Sequence, residues 1–439
     1  MRPWLICLTF LGAISACGTV ETTPPILAEP VSQETAKDVP RASNLEGSVA
    51  NTPFAELVRA SVANAPTSSA GVASIVAARS RIKAEKGAFL PQINAETSIT
   101  SGGDAVPILR LSQIIYDGGK GAGRVALRRS EARETWLSEI SSLSALSFEA
   151  VETIVDLDRN RALEAQAQRN LGRTRSLVAD LQSRFDAGAG SVADLLAGQG
   201  RQSNAESELA QAQTDVALAT ATWVEVFGAP PSGIPKIPPA PHLGRRSLEE
   251  LVARSPRLRG QIAASAIREN EVTLAKRATR PTLSAILETD FNQGTLPSDA
   301  NARLGIDVPI YRGGIARANI DTAEAGLEQS RAGEEALRRE LLRSLAQALE
   351  ETNSIQGRLA SARRAVRTNE KALEAARGQV DIGRGTLVQT LDALRELNTA
   401  QTRIIQLQAQ ARRAEYAVLA VTGDILDALG IAQPVDPTL

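Results

Sequence analysis

The sequence predicts a mainly α-helical protein carrying a small membrane β-sheet and built by tandem duplication. Three observations lead there. First, Ile115-Tyr116-Asp117-Gly118-Gly119 returns as Ile310-Tyr311-Arg312-Gly313-Gly314. Gly188 and Gly383 keep the spacing that separates Tyr116 from Tyr311, as do Gly228 and Gly423. Second, period-two apolar runs precede each Gly-Gly pair, each about the ten residues that a tilted membrane strand needs. Third, a proline-free helical stretch follows each pair, from Lys120 to Ser183 and from Ile315 to Gln379. Such a helix is roughly 96 Å long at 1.5 Å per residue, which is unusual outside coiled coils and helical repeats.

Composition narrows the function classes. The 439 residues suit two similar halves. Lys and Arg number 49 against 50 Asp and Glu, which excludes a general nucleic-acid binder. Aromatics are only 3%, so burial is expected along long, thin helix seams instead of a compact core. The single histidine, His242, sits in a proline-rich stretch, so no histidine-based dyad or metal cluster is available. Gly118-Gly119-Lys120-Gly121-Ala122-Gly123 lacks the Gly-x4-Gly-Lys-Ser/Thr spacing of a phosphate loop. It reads better as a strand-to-helix turn that permits close packing. No catalytic residue, cofactor or metal is expected.

At the N-terminus, Arg2 and the apolar run Trp4–Leu11 read as a signal peptide over residues 1–16. Ile14-Ser15-Ala16-Cys17 resembles a lipoprotein box, which implies cleavage before Cys17 and its acylation; the alternative is an ordinary signal peptide. Gly18, where an Asp is absent, points to the outer membrane. Residues 17–53 then read as a flexible tether. No later stretch approaches the roughly 20 apolar residues of a membrane helix, so further insertion must use strands.

The first repeat spans 54–228. A helix runs from Phe54 to Gly87 with an interruption near Pro66, and strands cover Gln92–Thr100 and about Val106–Tyr116. Ser101–Asp104 turns between them. The spacing predicts the long helix next, a break at Phe185–Ser191, and a return to about Phe227. Ala229–Pro241, with six prolines, is an extended connector within 229–246.

The second repeat spans 247–430. Ala65-Pro66 and Ser255-Pro256 keep a slightly shorter spacing than the Gly-Gly pairs do, so the copies differ in length between these prolines and the glycines. The longer loop Gln293–Ala300 accounts for much of that difference. The strands are Thr282–Phe291 and Asn301–Tyr311. Leu283, Leu287, Leu304, Ile306, Val308 and Ile310 form their expected lipid-facing side, with charge on the other; the alternative is a half-buried strand of a soluble sheet. In the last helix Leu397, Ile404, Ala411, Val418 and Ile425 recur every seven residues, a left-handed coiled-coil seam diluted by Asn398, Gln401, Gln408 and Arg412. Residues 431–439 form a short tail expected to fray.

Four strands per chain cannot close a barrel, which needs at least about eight. A dimer would give a small plugged barrel and a trimer a twelve-stranded one, so a homotrimer is the smallest assembly expected to conduct large solutes.

The order of strand, aromatic-x-Gly-Gly, long helix, Phe/Tyr-x-x-Gly turn and returning helix resembles the TolC-type outer-membrane channel proteins. The resemblance covers about 54–430 and is strongest in Ile310–Gly314 and in Val380-Asp381-Ile382-Gly383-Arg384-Gly385-Thr386-Leu387-Val388-Gln389-Thr390-Leu391-Asp392. The closing Tyr416 through Val421-Thr422-Gly423-Asp424-Ile425-Leu426 looks like the type I secretion branch more than the multidrug branch. The resemblance implies a trimeric twelve-stranded β-barrel continuing into a helical periplasmic tunnel. It implies a periplasmic adaptor and an inner-membrane ABC or proton-driven transporter as partners, with outer-membrane lipid around the barrel. The function implied is a passive exit duct for protein export, with drug efflux as the alternative; a non-channel coiled-coil lipoprotein is the rival from another class.

The same resemblance assigns roles. Asp186, Gly188, Gly190, Asp194, Asp381, Gly383, Arg384 and Gly385 become periplasmic tips and adaptor contacts. Asp392 and Gln389 fall where the family rings its entrance with two aspartates. Val380 and Gly385 fall where an aromatic and an arginine lock the closed state, with Arg384 a candidate substitute. Three Asp392 carboxylates near a threefold axis would attract cations; the alternative is a solvated helix face. Tyr116, Asp117, Gly118, Gly119, Tyr311, Arg312, Gly313 and Gly314 mark the barrel–tunnel junction, where Asp117 and Arg312 are candidates to pair around the trimer.

Overall fold

A computed structural model describes residues 45–46, 49–99, 105–244, 246–290 and 300–438. The predicted signal peptide, Cys17 and the hairpin loops at 101–104 and 291–299 lie outside them.

The folded body starts earlier than expected. Strand β1, Leu45–Glu46, pairs antiparallel with β4, His242–Leu243, after the proline-rich connector. Val49 is buried and its N–H donates to Ala428 O at 3.3 Å. The tether therefore ends before Leu45 and not at residue 53, because these residues find both a strand partner and a core. Helix α1, Pro53–Asn64, is capped by the Thr52 hydroxyl. Extended Ala65 precedes Pro66 and separates α1 from α2, Pro66–Gly87. Ser255 and Pro256 repeat this between α5, Leu248–Arg254, and α6, Pro256–Arg277.

The long helices are longer than expected. Helices α3, Lys120–Asp186, and α7, Ile315–Asp381, each hold 67 residues, about 100 Å at 1.5 Å per residue. Helices α4, Val192–Phe227, and α8, Leu387–Thr422, return alongside them with 36 residues each. Gly228 and Gly423, both at positive φ, end the returning helices, and α9, Ile425–Leu429, follows. The duplication thus extends to backbone conformation.

Burial follows the seams, with one exception. Apolar clusters such as Ile355, Leu359, Leu407 and Ala411 run thinly between α7 and α8. Partway along the bundle, however, a compact core gathers Phe54, Val58, Val151, Ile154, Trp223, Tyr416, Leu419 and Ile425. The Phe54 and Tyr416 rings lie 5.5 Å apart, and the Tyr416 hydroxyl donates to Pro238 O in the connector. Six aromatics gather here, where residues from Val49 onward, the C-terminal segment and the connector meet the long helices. The tail belongs to this region and is docked: Ile431 is buried, and Trp136 Nε1 donates to Pro434 O at 2.7 Å. These contacts correct the expectation of fraying.

Glu139, on α3, is only 7% exposed and its Oε1 has no hydrogen-bond partner among the described residues. Burial pushes its carboxyl pKa up. A raised folded-state pKa means the protonated form suits the fold. That stability is present below the ordinary glutamate range and is lost as pH rises through the folded value. Glu139→Gln is expected to raise the melting temperature at pH 7 and to flatten its fall above about pH 4.5. Thermal melts across pH check this, and an unchanged profile would discount it.

The sheet is antiparallel in the order β2-β3-β5-β6: Gln92–Ile99, Ala105–Tyr116, Thr282–Asp290 and Ala300–Asp307. One expected strand is shorter. β6 ends at Asp307, which pairs with Thr282, the first residue of β5, so residues 308–311 have no strand beside them in this chain.

Candidate functional site

The two helical tips are one device made twice. Gly188 and Gly383 take φ of 70° and 74°. Ala189 N donates to Arg184 O at 2.9 Å, and Arg384 N to Gln379 O at 2.8 Å, closing equivalent left-handed helix stops. A Cβ on Gly190 would lie 2.9 Å from Phe185 N, and one on Gly385 2.9 Å from Gln379 Cβ. The returning helices are then capped by Ser191, which accepts from Ala193 N, and by Thr386, which accepts from Gln389 N. Beneath both tips, Leu181, Leu195, Val380, Leu387 and Leu391 pack in one cluster, which ties the two tips together.

This geometry re-sorts the tip residues. Val380 is buried in that cluster and Gly385 has no room for a side chain, so neither offers a latch. Gln389 is exposed, but its Oε1 accepts from Thr386 N in a capping box. Asp186 accepts from Gln182, and Asp194 sits in the first turn of α4, where a carboxylate suits the helix dipole. Asp381 and Arg384 are exposed beside the second turn. Asp392 holds the main correction. Its Oδ1 lies 2.7 Å from an Arg201 guanidinium nitrogen on α4, so within the chain its charge is balanced. Arg201 lies 191 residues away, and no local signal in the sequence connects the two.

At the junction, Gly118 and Gly119 have φ of 67° and 84°, and Gly313 and Gly314 have 58° and 82°. The Asp117 carboxylate accepts from Gly119 N at 2.8 Å and also from Gly121 N, capping the start of α3. Arg280 and Arg277 donate to Gly118 O and Gly119 O at 2.9 and 2.8 Å. No sequence signal marks these clamps. Asp117 is thus committed to its own helix, and the expected Asp117–Arg312 pairing loses its free carboxylate. Arg312 is exposed, and a Cβ on Gly313 or Gly314 would meet open space. Tyr116 and Tyr311 are both exposed.

The sheet separates two faces. Leu111, Leu287 and Ala302 line up across β3, β5 and β6, and Leu283 stands opposite Ile306, so the predicted apolar positions share one side. On the other, Arg110 and Arg303 flank Glu288 at 3.4 and 3.5 Å. Leu304, Ile306, Val308 and Ile310 are exposed, Ile310 at 93%. Among the described residues no helix is long and apolar enough to cross a membrane. The architecture is thus a two-sided sheet joined to a helical bundle by glycine turns.

Known proteins share this architecture. Residues 247–424, nearly the whole second repeat, match the family described as outer membrane efflux protein. A curated relative, the outer membrane efflux protein BepC of Brucella suis biovar 1 (strain 1330), is 24% identical over 367 residues, 79% of this chain and 80% of that protein. The solved CusC structure covers 88% of this chain and 93% of its own at TM-score 0.76 and 18% identity. The outer membrane protein VceC of Vibrio cholerae covers 87% and 97% at TM-score 0.73 and 18% identity. The second repeat thus matches the outer membrane efflux protein family, and BepC is a distant relative over most of the chain. Its fold, a four-stranded sheet continuing into long helices, is the one seen in the CusC and VceC structures.

Proposed function

We propose that this protein is the exit duct of a tripartite export system. It passively carries cargo from an inner-membrane transporter and a periplasmic adaptor to the exterior. The observation that supports this best is incompleteness. The four-stranded sheet leaves β2 and β6 each with an unpaired edge, and unpaired edges are not tolerated in lipid. Helix α3 is packed by both returning helices, α4 and α8, whereas α7 is packed by α8 without α4 beside it. Val192 and Leu196 on α4 are exposed, while their counterparts in the second repeat, Leu387 and Leu391, are buried. Three copies around an axis supply what each chain lacks.

For cargo we favour type I protein export with an ABC transporter, on the Tyr416–Leu426 stretch. Tyr416, Leu419, Ile425 and Leu426 are core residues, and Asp424 is buried against Arg254. The second reading, drug efflux with a proton-driven pump, is favoured by the names of the family and of its Brucella relative. The tip residues Asp186, Gly188, Gly190, Asp194, Asp381, Gly383, Arg384 and Gly385 are proposed adaptor contacts, and acylated Cys17 a proposed anchor.

Detergent-purified protein is expected to be a trimer that forms pores in planar bilayers. A monomer without pores would favour the structural lipoprotein instead. Deleting the gene separates the cargoes. Loss of a secreted protein supports type I export, and drug hypersensitivity with normal secretion overturns it.

A further inference from the structure

The duplication specifies how neighbouring copies meet in the membrane. Strand β5 is the second repeat's copy of β2, and β6 is its copy of β3. Within the chain, β3 pairs with β5 so that Ser112 faces Ile286, Gln113 faces Ala285 and Tyr116 faces Leu283, with a bulge at Ile115. β2 and β6 are the two strands with a free edge. We propose that β6 of one copy pairs with β2 of the next in the register that β3 makes with β5. This rests on the trimeric reading above. Asp307 then stands directly opposite Glu96 of the neighbouring copy, Val308 opposite its Ala95, and Tyr311 opposite its Ile93.

Three observations carry this register. Val308, Tyr311 and Ile93 are 51%, 84% and 69% exposed in the single chain, and all three gain an apolar cross-strand neighbour. A one-residue slip would turn every β6 side chain to the wrong face and put Asp307 against lipid. Residues 308–311, unpaired in this chain, acquire a partner just where β3 keeps one, and Ile310 takes the place of the bulged Ile115. Finally, the open space beside Gly313 and Gly314 lies where Arg280 and Arg277 stand beside Gly118 and Gly119.

Asp307 and Glu96 share the face that bears Arg110 and Glu288, the lumen side. Each seam therefore sets two carboxylates against each other, and like charges directly opposite are destabilising. In their own chains, Asp307 faces Thr282 and Glu96 faces Ile108, neither of them a cation. Two cations on neighbouring positions are otherwise engaged: Lys120 donates to Thr282 Oγ1 at 3.0 Å, and Arg110 pairs with Glu288. The subunit seam is thus weaker than the β3–β5 pairing inside each chain.

Cysteine pairs test the register in the full chain, purified as the trimer. Directly opposite residues lie within disulfide reach, whereas diagonal ones, about 7–8 Å apart, do not. Glu96→Cys with Asp307→Cys is expected to link copies on mild oxidation. Glu96→Cys with Gly305→Cys or with Pro309→Cys, each two positions off, is not. The single-cysteine variants supply the background. A link from either offset pair, or none from any pair in a protein that sizes as a trimer, overturns the register. A monomer on sizing refutes the trimeric reading itself. Separately, Asp307→Asn is expected to raise the temperature of trimer dissociation by about 2–4 °C, and a lowered temperature would overturn the facing carboxylates.

Discussion

Arg201→Ala is expected to make the reconstituted channel more cation-selective and to give it block by a trivalent cation added from the periplasmic side. In the folded chain the Arg201 guanidinium holds Asp392 at 2.7 Å, with side chains 28% and 48% exposed. A pair this wet contributes about 0–1 kcal/mol to stability, so its removal should leave the fold intact. Electrostatically it matters more, because it balances a carboxylate on the helix that follows the second tip. Without Arg201, three such carboxylates are expected to converge around the threefold axis and attract multivalent cations. About 1.4 kcal/mol of added attraction makes block roughly tenfold tighter. Asp392→Asn alone should act oppositely, leaving an unbalanced arginine and a shift toward anions. The double variant should show neither effect. Equal block in the wild-type and Arg201→Ala channels would place Asp392 away from the axis and leave it a solvated surface residue.

Much of this architecture was legible because the duplication repeats a few conformations that depend on particular residues. Gly118, Gly188 and Gly228 share positive φ with their second-repeat partners Gly313, Gly383 and Gly423, a conformation other residues rarely adopt. Pro66 placed the break at Ala65, and period-two runs placed the strands. The illegible parts share one cause, contacts between residues far apart in sequence. Arg201 meets Asp392, Arg277 and Arg280 meet the first Gly-Gly pair, and Trp136 meets the tail. A surface arginine with no local partner has no sequence signature that separates it from its many neighbours. The tether boundary failed for the same reason, since Leu45–Glu46 is a strand only because His242–Leu243 lies beside it. Val380 and Gly385, which stand where the resemblance would put an aromatic and an arginine, are packing and turn residues.

Gly118→Ala is expected to cost about 3 kcal/mol, far more than the chemically identical Gly313→Ala in an isolated chain. Both positions have left-handed backbone, φ 67° and 58°, where a Cβ costs roughly 1–2 kcal/mol. They differ in what the methyl group meets. At Gly118 it would lie 2.4 Å from Arg280 Cβ, the root of a side chain whose guanidinium is tied to Gly118 O, so it cannot swing aside. Overpacking of that kind adds about 1–3 kcal/mol. At Gly313 nothing lies within 4 Å, and only the backbone strain remains. In the trimer that difference should narrow. The correspondence of β2 with β5 puts Leu90 of a neighbouring copy where Arg280 stands in the first junction. Thermal dissociation of detergent-solubilised trimers separates the cases. Gly313→Ala should lower trimer stability by more than its strain alone, with little effect on the unfolding of the separated chain. If Gly313→Ala is as mild in the trimer as in the monomer, the second junction stays open to solvent, and the two Gly-Gly turns share a backbone without sharing an environment.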